Sequence, residues 1–579
     1  MRDEKETKGA VTPSVCDDFE RTQYQKDVET TANGPATNDI ANYVVTYKTW
    51  CVVWILAWSY GISFWIVPSA QAAQTVIANQ LGDPTAAPWY ISVYTITVTI
   101  AFMVCGANSD LFGRRWFIIG GNVLLFIGFI VGGTATNNRA AITAFALIGF
   151  GAGNAQLAAF ALPELLPNKW RHSAVVLADI GCYFAVVVGP VAGRFAAEHG
   201  EAWRWLFYGP AIAVFFSFCG LLCYYYPPQH PRGLPLNRAL KELDYAGAIL
   251  FTVSATLVLV GIVYTTALPS SNPKVIGTLA AGFALLLIFA IYEHFAPLKQ
   301  PLTPTHVFLR GKGREFTAPF VVGFFYYGLN LIYTNQISIL FTDPTTTYQY
   351  ATVLTLPQNL GLVLGAVLLT LFGSKIGHWR WQLTGSVTLT VLFGALLALG
   401  TPSRRATMMA FVFLAETVYG WAQYLSITYI QFGVEQAELG ISGGLAGVAR
   451  FAGGAIAISV FTTILTNAVR MHTPKIVVPA LEAAGASSQI VDVILEALPL
   501  GQEALAGVEG ASAEVLDAAR TAYQQVYVIG LRTTALSTLA FGIVGIVACL
   551  FCEDIGRKMN DKIEIFLEND VHAERNEYH

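Results

Sequence analysis

Charge is scarce in this chain. Of its 579 residues only 12% are Asp, Glu, Lys or Arg, about half the share of an ordinary soluble domain, while 54% are hydrophobic. So few charges cannot clothe a surface that faces water. The net charge of −4 excludes the basic footprint of a nucleic-acid binder. No GxxxxGK[ST] loop occurs, which excludes P-loop ATP hydrolysis. No HExxH, no paired CxxC and no nucleophile elbow occurs either, so no metal, no cofactor and no catalytic constellation is expected. The glycine run Gly149-Phe150-Gly151-Ala152-Gly153 lies inside an apolar stretch without a βαβ setting, and reads as packing. Eight cysteines do not form a disulfide framework. Cys51, Cys105, Cys182, Cys219 and Cys223 lie in apolar runs, and the Cys549/Cys552 pair ends the last run with no histidine nearby. The first 45 or so residues are polar and lack an apolar core, so the expectation is a tail rather than a cleaved signal peptide.

What the chain has in abundance is apolar runs of about 20 residues, each long enough to cross roughly 30 Å of hydrocarbon as a helix. They fall near 50–68, 88–107, 115–135, 140–161, 172–195, 203–226, 244–266 and 275–295, then 315–340, 350–372, 380–400, 405–430, 440–467 and 524–551. The expected fold is an all-α integral membrane protein of about 14 transmembrane helices embedded in the lipid bilayer. Its expected parts are a tail 1–47, a six-helix bundle 48–226, a linker 227–314 with two helices, a second bundle 315–551 and a tail 552–579. Lys and Arg set the orientation. Arg114, Arg115, Lys169, Arg171, Arg232, Arg238, Lys241, Arg310, Lys312, Arg314, Lys375 and Arg380 fall on one side, against Arg139, Lys274, Arg404 and Arg405 on the other. Both termini are then cytoplasmic. The 468–523 stretch becomes an outer loop, with short amphipathic helices suggested by Ile490, Val493, Ile494 and Leu498.

The chain repeats itself. Gly106-x-x-x-Asp110-x-x-Gly113-Arg114-Arg115 joins helices two and three, and Gly373 to Trp381 joins helices ten and eleven. Aligning Gly377 with Gly113 places Ser374 where Asp110 stands, so helices nine to fourteen repeat helices one to six. A carboxylate in such a turn can accept backbone N–H groups at the start of a facing helix. The run Gly440-Ile-Ser-Gly443-Gly444-Leu-Ala-Gly447, opening helix thirteen, is the candidate partner. Gly106, Asp110, Gly113, Arg114 and Arg115 are therefore a candidate gating motif.

These residues resemble the loop signature of the major facilitator superfamily. The helix number and the inserted central pair resemble its 14-spanner drug:proton antiporter branch. Trp89-Tyr90-Ile91-Ser92 through the loop motif, and Leu162-Pro163-Glu164 through Arg171, resemble the fungal trichothecene efflux pump family. The resemblance implies two pseudo-symmetric six-helix bundles plus two extra central helices, working as a monomer. Gly181, Gly189, Pro190 and Gly193 resemble the antiporter motif of drug exporters, although Ala185 and Arg194 depart from it. Phe145 stands where many such antiporters carry an arginine.

Ionisable groups at membrane depth are costly and mark function. Asp179, roughly 10 Å into helix five at 1.5 Å per residue, and Glu416 in helix twelve are the candidate proton-coupling groups. Asn154, Gln156, Tyr183, Tyr326, Tyr327, Asn330, Asn335 and Gln358 are the candidate substrate-binding residues. Each could instead make an interhelical hydrogen bond, and each carboxylate a salt bridge, for example with Arg450 or His172. The expected function is proton-coupled efflux of a small, largely apolar organic compound across the plasma membrane. Import of siderophore-bound iron, and a non-transporting receptor of the same fold, are the rivals.

Overall fold

The computed structural model describes residues 45–228, 236–268, 272–308, 315–343, 346–435, 438–498, 505, 507, 508 and 510–576. Most of the expected N-terminal tail, and Arg232, Arg310, Lys312 and Arg314, lie outside the described residues. The body runs from Tyr47 onward.

Among the described residues fourteen long helices follow in order. The first bundle holds α1 (Tyr47–Phe64 and Ile66–Gln80), α2 (Ala87–Phe112), α3 (Arg114–Gly133), α4 (Asn138–Ala155 and Ala158–Glu164), α5 (Arg171–Ala178 and Ile180–Glu198) and α6 (Trp205–Tyr224). The inserted pair is α7 (Tyr245–Ala267) and α8 (Pro273–Phe295). The second bundle holds α9 (Thr317–Asn335), α10 (Tyr348–Ile376), α11 (Trp379–Leu396), α12 (Arg405–Gly433), α13 (Leu439–Ala483) and α14 (Ala513–Leu550). Among the described residues twelve helices are long and apolar enough to cross a membrane. The other two, α9 and α12, carry the polar residues that matter below, including Asn330, Asn335, Glu416 and Gln423.

Local chemistry sets the boundaries. Both turns leave the right-handed region: Gly113 (φ 83°) does so between α2 and α3, and Gly377 (59°) with His378 (48°) between α10 and α11. Asn137, Asp244, Asn272, Ser487 and Ser512 accept backbone N–H groups at helix starts. Each bundle has its own apolar core, one around Phe129, Phe145 and Phe207, the other around Phe324, Tyr419 and Phe461. Large apolar side chains such as Phe216, Leu287 and Val544 face outward, as a hydrocarbon solvent permits. The bundles meet along α2 with α13 and α5 with α10, while α7 packs against α2 and α13.

Three expectations change. The first helix is longer than 50–68, because the apolar pattern runs on to Gln80 across the break at Trp65. The 468–523 stretch is not a loop punctuated by short helices. The α13 helix is 45 residues long and α14 is 38. At about 1.5 Å per residue each outreaches a ~30 Å hydrocarbon layer and projects beyond it. Their extensions clasp one short helix, Ser488–Ala497, through a small core that includes Val477, Ile494 and Ala519. Within that helix Val493 is exposed while Val491 and Ile494 are buried.

The 552–579 segment is not a free tail either, as far as Asn576. Lys558 Nζ donates to Phe432 O at 2.6 Å, on the second bundle. Beyond it the extended segment lies on the first bundle: Lys169 N donates to Asn560 O (2.7 Å), Asn168 N to Lys562 O (2.9 Å), Ile565 N to Glu164 O (3.1 Å) and Glu568 N to Tyr226 O (2.8 Å). A carbonyl freed where α4 ends, and N–H donors freed just before α5, explain why an otherwise polar tail docks.

Candidate functional site

A cavity of about 470 Å³ lies between the bundles. Aromatic side chains recur along its wall, among them Tyr60, Tyr94, Phe102, Tyr326, Tyr327 and Phe451. Two charged residues line it, Asp179 and Arg450. Phe160 floors it: a Cβ on Gly443 of α13 would meet the Phe160 ring at 2.8 Å.

Asp179 sits in a break of α5. Its φ of −86° and ψ of 5° leave the helical region, and its N–H bonds Val176 O at 3.2 Å, a tight i→i−3 turn. The break aims the carboxylate inward, where Tyr60 of α1, Tyr424 of α12 and the Cys182 thiol face it. Gly181 lets this segment touch α1, since a Cβ there would meet Gly61 Cα at 2.8 Å. Gly189 and Gly193 continue the same seam, beside Pro68 and Ser69. Pro190 lies between them in the helix. The Gly/Pro stretch is thus a packing face within the first bundle. At Phe145, where an arginine is absent, an aromatic stack with Tyr90 fills the space (5.1 Å).

On one side the cavity is shut by α2 and α13. Asp110 accepts from Gly440 N and Ile441 N, each at 3.0 Å, the free donors in the first turn of α13. Arg114 Nη2 lies 3.3 Å from Asp110, and Nη1 pairs with Glu164 of α4. All three side chains are buried. A Cβ on Gly106 would meet Gly444 Cα at 2.8 Å, so the glycines set how closely the helices approach. Arg115 is outside this cluster, stacked 3.7 Å over Tyr226.

Of the candidate substrate-binding residues, Gln156, Tyr326, Tyr327, Asn330 and Asn335 line the cavity. Asn154, Tyr183 and Gln358 do not. Asn154 turns back to Phe150 O (2.9 Å), and the Tyr183 hydroxyl donates to Val176 O (3.2 Å). Gln358 faces Glu416 instead, with Nε2 3.5 Å from Oε1. Glu416 is likewise off the cavity wall, fully buried between α10 and α12, with Oε2 unpartnered. Neither carboxylate pairs with Arg450 or His172. His172 Nε2 lies 3.2 Å from Ser374 Oγ.

Gln423, Tyr424 and Glu164 are site residues that sequence reading missed, and Arg450 entered it as a possible salt-bridge partner and not as a lining residue. A charge eleven residues into an apolar run carries the same signal as Asp179. Arg450 was masked by its place at the end of the glycine run that opens α13.

The family model of the fungal trichothecene efflux pump (TRI12) matches residues 27–577. The MFS-type transporter prx5 of Penicillium rubens is 42% identical over 533 residues, covering 91% of this chain and 95% of its own. Trichothecene efflux pump TRI12 of Fusarium sporotrichioides is 24% identical over 511 residues, covering 86% and 85%. Among solved structures, the proton:xylose symporter XylE aligns over 73% of this chain and 90% of its own, at 15% identity and a TM-score of 0.49. With a transporter's helix plan and a family match along nearly its whole length, the chain belongs to the fungal trichothecene efflux pump family of the major facilitator superfamily.

Proposed function

We propose that this protein exports a small, largely apolar organic compound, a toxin or another secondary metabolite, in exchange for protons. The observation that carries the reading is Asp179, the one carboxylate among the described residues lining the cavity, held at a helix break between the bundles. Aromatic rings around it suit a compound bound by stacking and sparse hydrogen bonds. An ionised Asp179 accepts hydrogen bonds, and a protonated one donates. Proton and substrate can therefore compete for it. The Asp110 latch closes one end of the cavity, and its release with closure of the other end would give alternating access. We assign the latch face to the cytoplasm, both termini to that side, and the protein to the plasma membrane as a monomer. The names of the relatives support a trichothecene-like sesquiterpenoid as first probe.

The test is accumulation of a tritiated trichothecene alcohol in cells with and without the protein. Higher accumulation in cells lacking it supports export. Lower accumulation supports an importer, and iron-dependent growth of the same strains separates the siderophore rival. Equal accumulation of every compound in a secondary-metabolite panel supports the receptor.

A further inference from the structure

Arg450 is the second charge of the cavity, and the coupling scheme does not use it. Its guanidinium reaches the cavity from α13, on the bundle opposite the helix break of Asp179. In the amide orientation that gives both Gln423 atoms a partner, the Gln423 oxygen accepts from Nη1 at 2.7 Å and Nη2 at 3.2 Å, while its nitrogen donates to Tyr419 Oη at 2.9 Å. The Tyr326 ring centroid is 5.9 Å from Cζ. Nε is buried without a partner, and Asp179 acts on the guanidinium only as a charge across the cavity. A guanidinium whose one hydrogen-bond acceptor is a neutral amide oxygen keeps donor capacity for a guest.

The geometry points to Arg450 as the substrate-anchoring residue, its guanidinium donating to a carbonyl, ester or ether oxygen of an uncharged compound. This rests on the proposed export reading. With Asp179 ionised the two lining charges balance. An anionic substrate then meets Asp179 and a cationic one meets Arg450, so charge of either sign is penalised. A neutral compound can give an acceptor oxygen to Arg450 and a hydroxyl to Asp179. When Asp179 takes a proton, the carboxylate oxygen that received the hydroxyl is no longer a charged acceptor, and the compound's grip on the first bundle weakens.

Equilibrium binding to the full chain in lipid nanodiscs tests this, using a tritiated trichothecene alcohol, its acetate ester and its hemisuccinate. The expected order at neutral pH is alcohol, then acetate, with the hemisuccinate weakest. Arg450→Gln should weaken the alcohol by about ten- to a hundredfold, the scale of one lost hydrogen bond to a charged donor, while Arg450→Lys recovers part of it. Unchanged affinity in Arg450→Gln, a preference for the hemisuccinate, or no saturable binding to the wild type overturns the anchor. Proton-driven export of the alcohol by the wild type, with unchanged affinity in Arg450→Gln, would leave the export reading standing and remove Arg450 alone.

A separate observation concerns the C-terminal segment. It is hydrogen-bonded to α12 through Lys558 and to the α4–α5 corner through Asn560, Lys562 and Ile565, on the face where Glu164 holds Arg114. That face cannot part without breaking one set. We infer that the segment is a strap restraining opening of the latch face. Truncation after Glu553 should raise alkylation of a single cysteine placed at Ala159, whose carbonyl receives Gln431 across the same seam (3.0 Å). An Asn168→Cys/Glu564→Cys crosslink in the full chain should slow transport reversibly, with reductant restoring it. Their side chains meet at 2.7 Å. Transport and labelling unchanged by both, with the crosslink formed, would overturn the strap.

Discussion

The carboxylate of Asp110 accepts the backbone N–H of Gly440 at 3.0 Å, and the same group takes the N–H of Ile441. In the second repeat Ser374 holds the corresponding place and meets the His172 ring at 3.2 Å. The two seams are topologically equivalent and electrostatically unequal. A buried charge receiving two N–H groups at a helix start gains from both the bonds and the helix dipole.

Asp110→Asn should therefore favour the open form of the latch face. Losing a buried, charge-assisted interaction costs about 1–3 kcal/mol, a five- to 150-fold shift of a two-state equilibrium. Transport should fall strongly while substrate binding stays measurable. Ser374→Ala should do little. Cysteine accessibility on the two faces reads the shift, and an unchanged labelling pattern in Asp110→Asn would remove the latch from the mechanism.

Two glycine substitutions should separate gating from stability. A Cβ at Gly444 would lie 2.4 Å from Phe102 O, at the α2–α13 seam between bundles. A Cβ at Gly193 would lie 2.1 Å from Ser69 O, inside the first bundle. Overpacking of this kind costs about 1–3 kcal/mol. Gly444→Ala should widen the latch face, seen as a longer spin-label distance across it, with little change in thermal stability. Gly193→Ala should lower the thermal midpoint and leave that distance unchanged. Equal effects of the two on both readouts would contradict the assignment of these seams.

Asp179 and Glu416 should also part company. Glu416 is sealed between α10 and α12, so no substrate in the cavity can compete for its proton. Glu416→Gln should keep gradient-driven transport and its pH profile, because an amide can still meet Gln358 and needs no charge in a buried site. If Glu416→Gln loses gradient dependence while Asp179→Asn keeps it, the coupling role moves to the second bundle.

The helix plan was legible because hydrocarbon demands long apolar runs, and twelve of the helices are of that kind among the described residues, with the more polar α9 and α12 between them. The Asp110 contact was legible too, since a lone acid in a glycine turn calls for backbone donors and the glycine-rich start of α13 supplies them. Lining residues were less so. A polar side chain in an apolar helix satisfies itself equally well on its own backbone, as Asn154 does with Phe150, or in the cavity, as Gln156 does beside Ser63. Only rotation about the helix axis distinguishes these, and α4 breaks at that point, between Ala155 and Ala158. The segment after Cys552 was unreadable for another reason. Four of its docking bonds join backbone groups, and backbone hydrogen bonding leaves no mark on side-chain composition.

The central claim is that one carboxylate in the cavity links proton movement to export. The most direct measurement is uptake of the tritiated trichothecene alcohol into proteoliposomes holding the protein with its latch face outward, under an imposed pH gradient. With the lumen more acidic, the wild type should concentrate the compound above equilibrium and release protons from the lumen as it does. Asp179→Asn should bind it and equilibrate it without concentrating it. Concentrative uptake by Asp179→Asn, at the wild-type rate and with the same dependence on the gradient, would contradict the account.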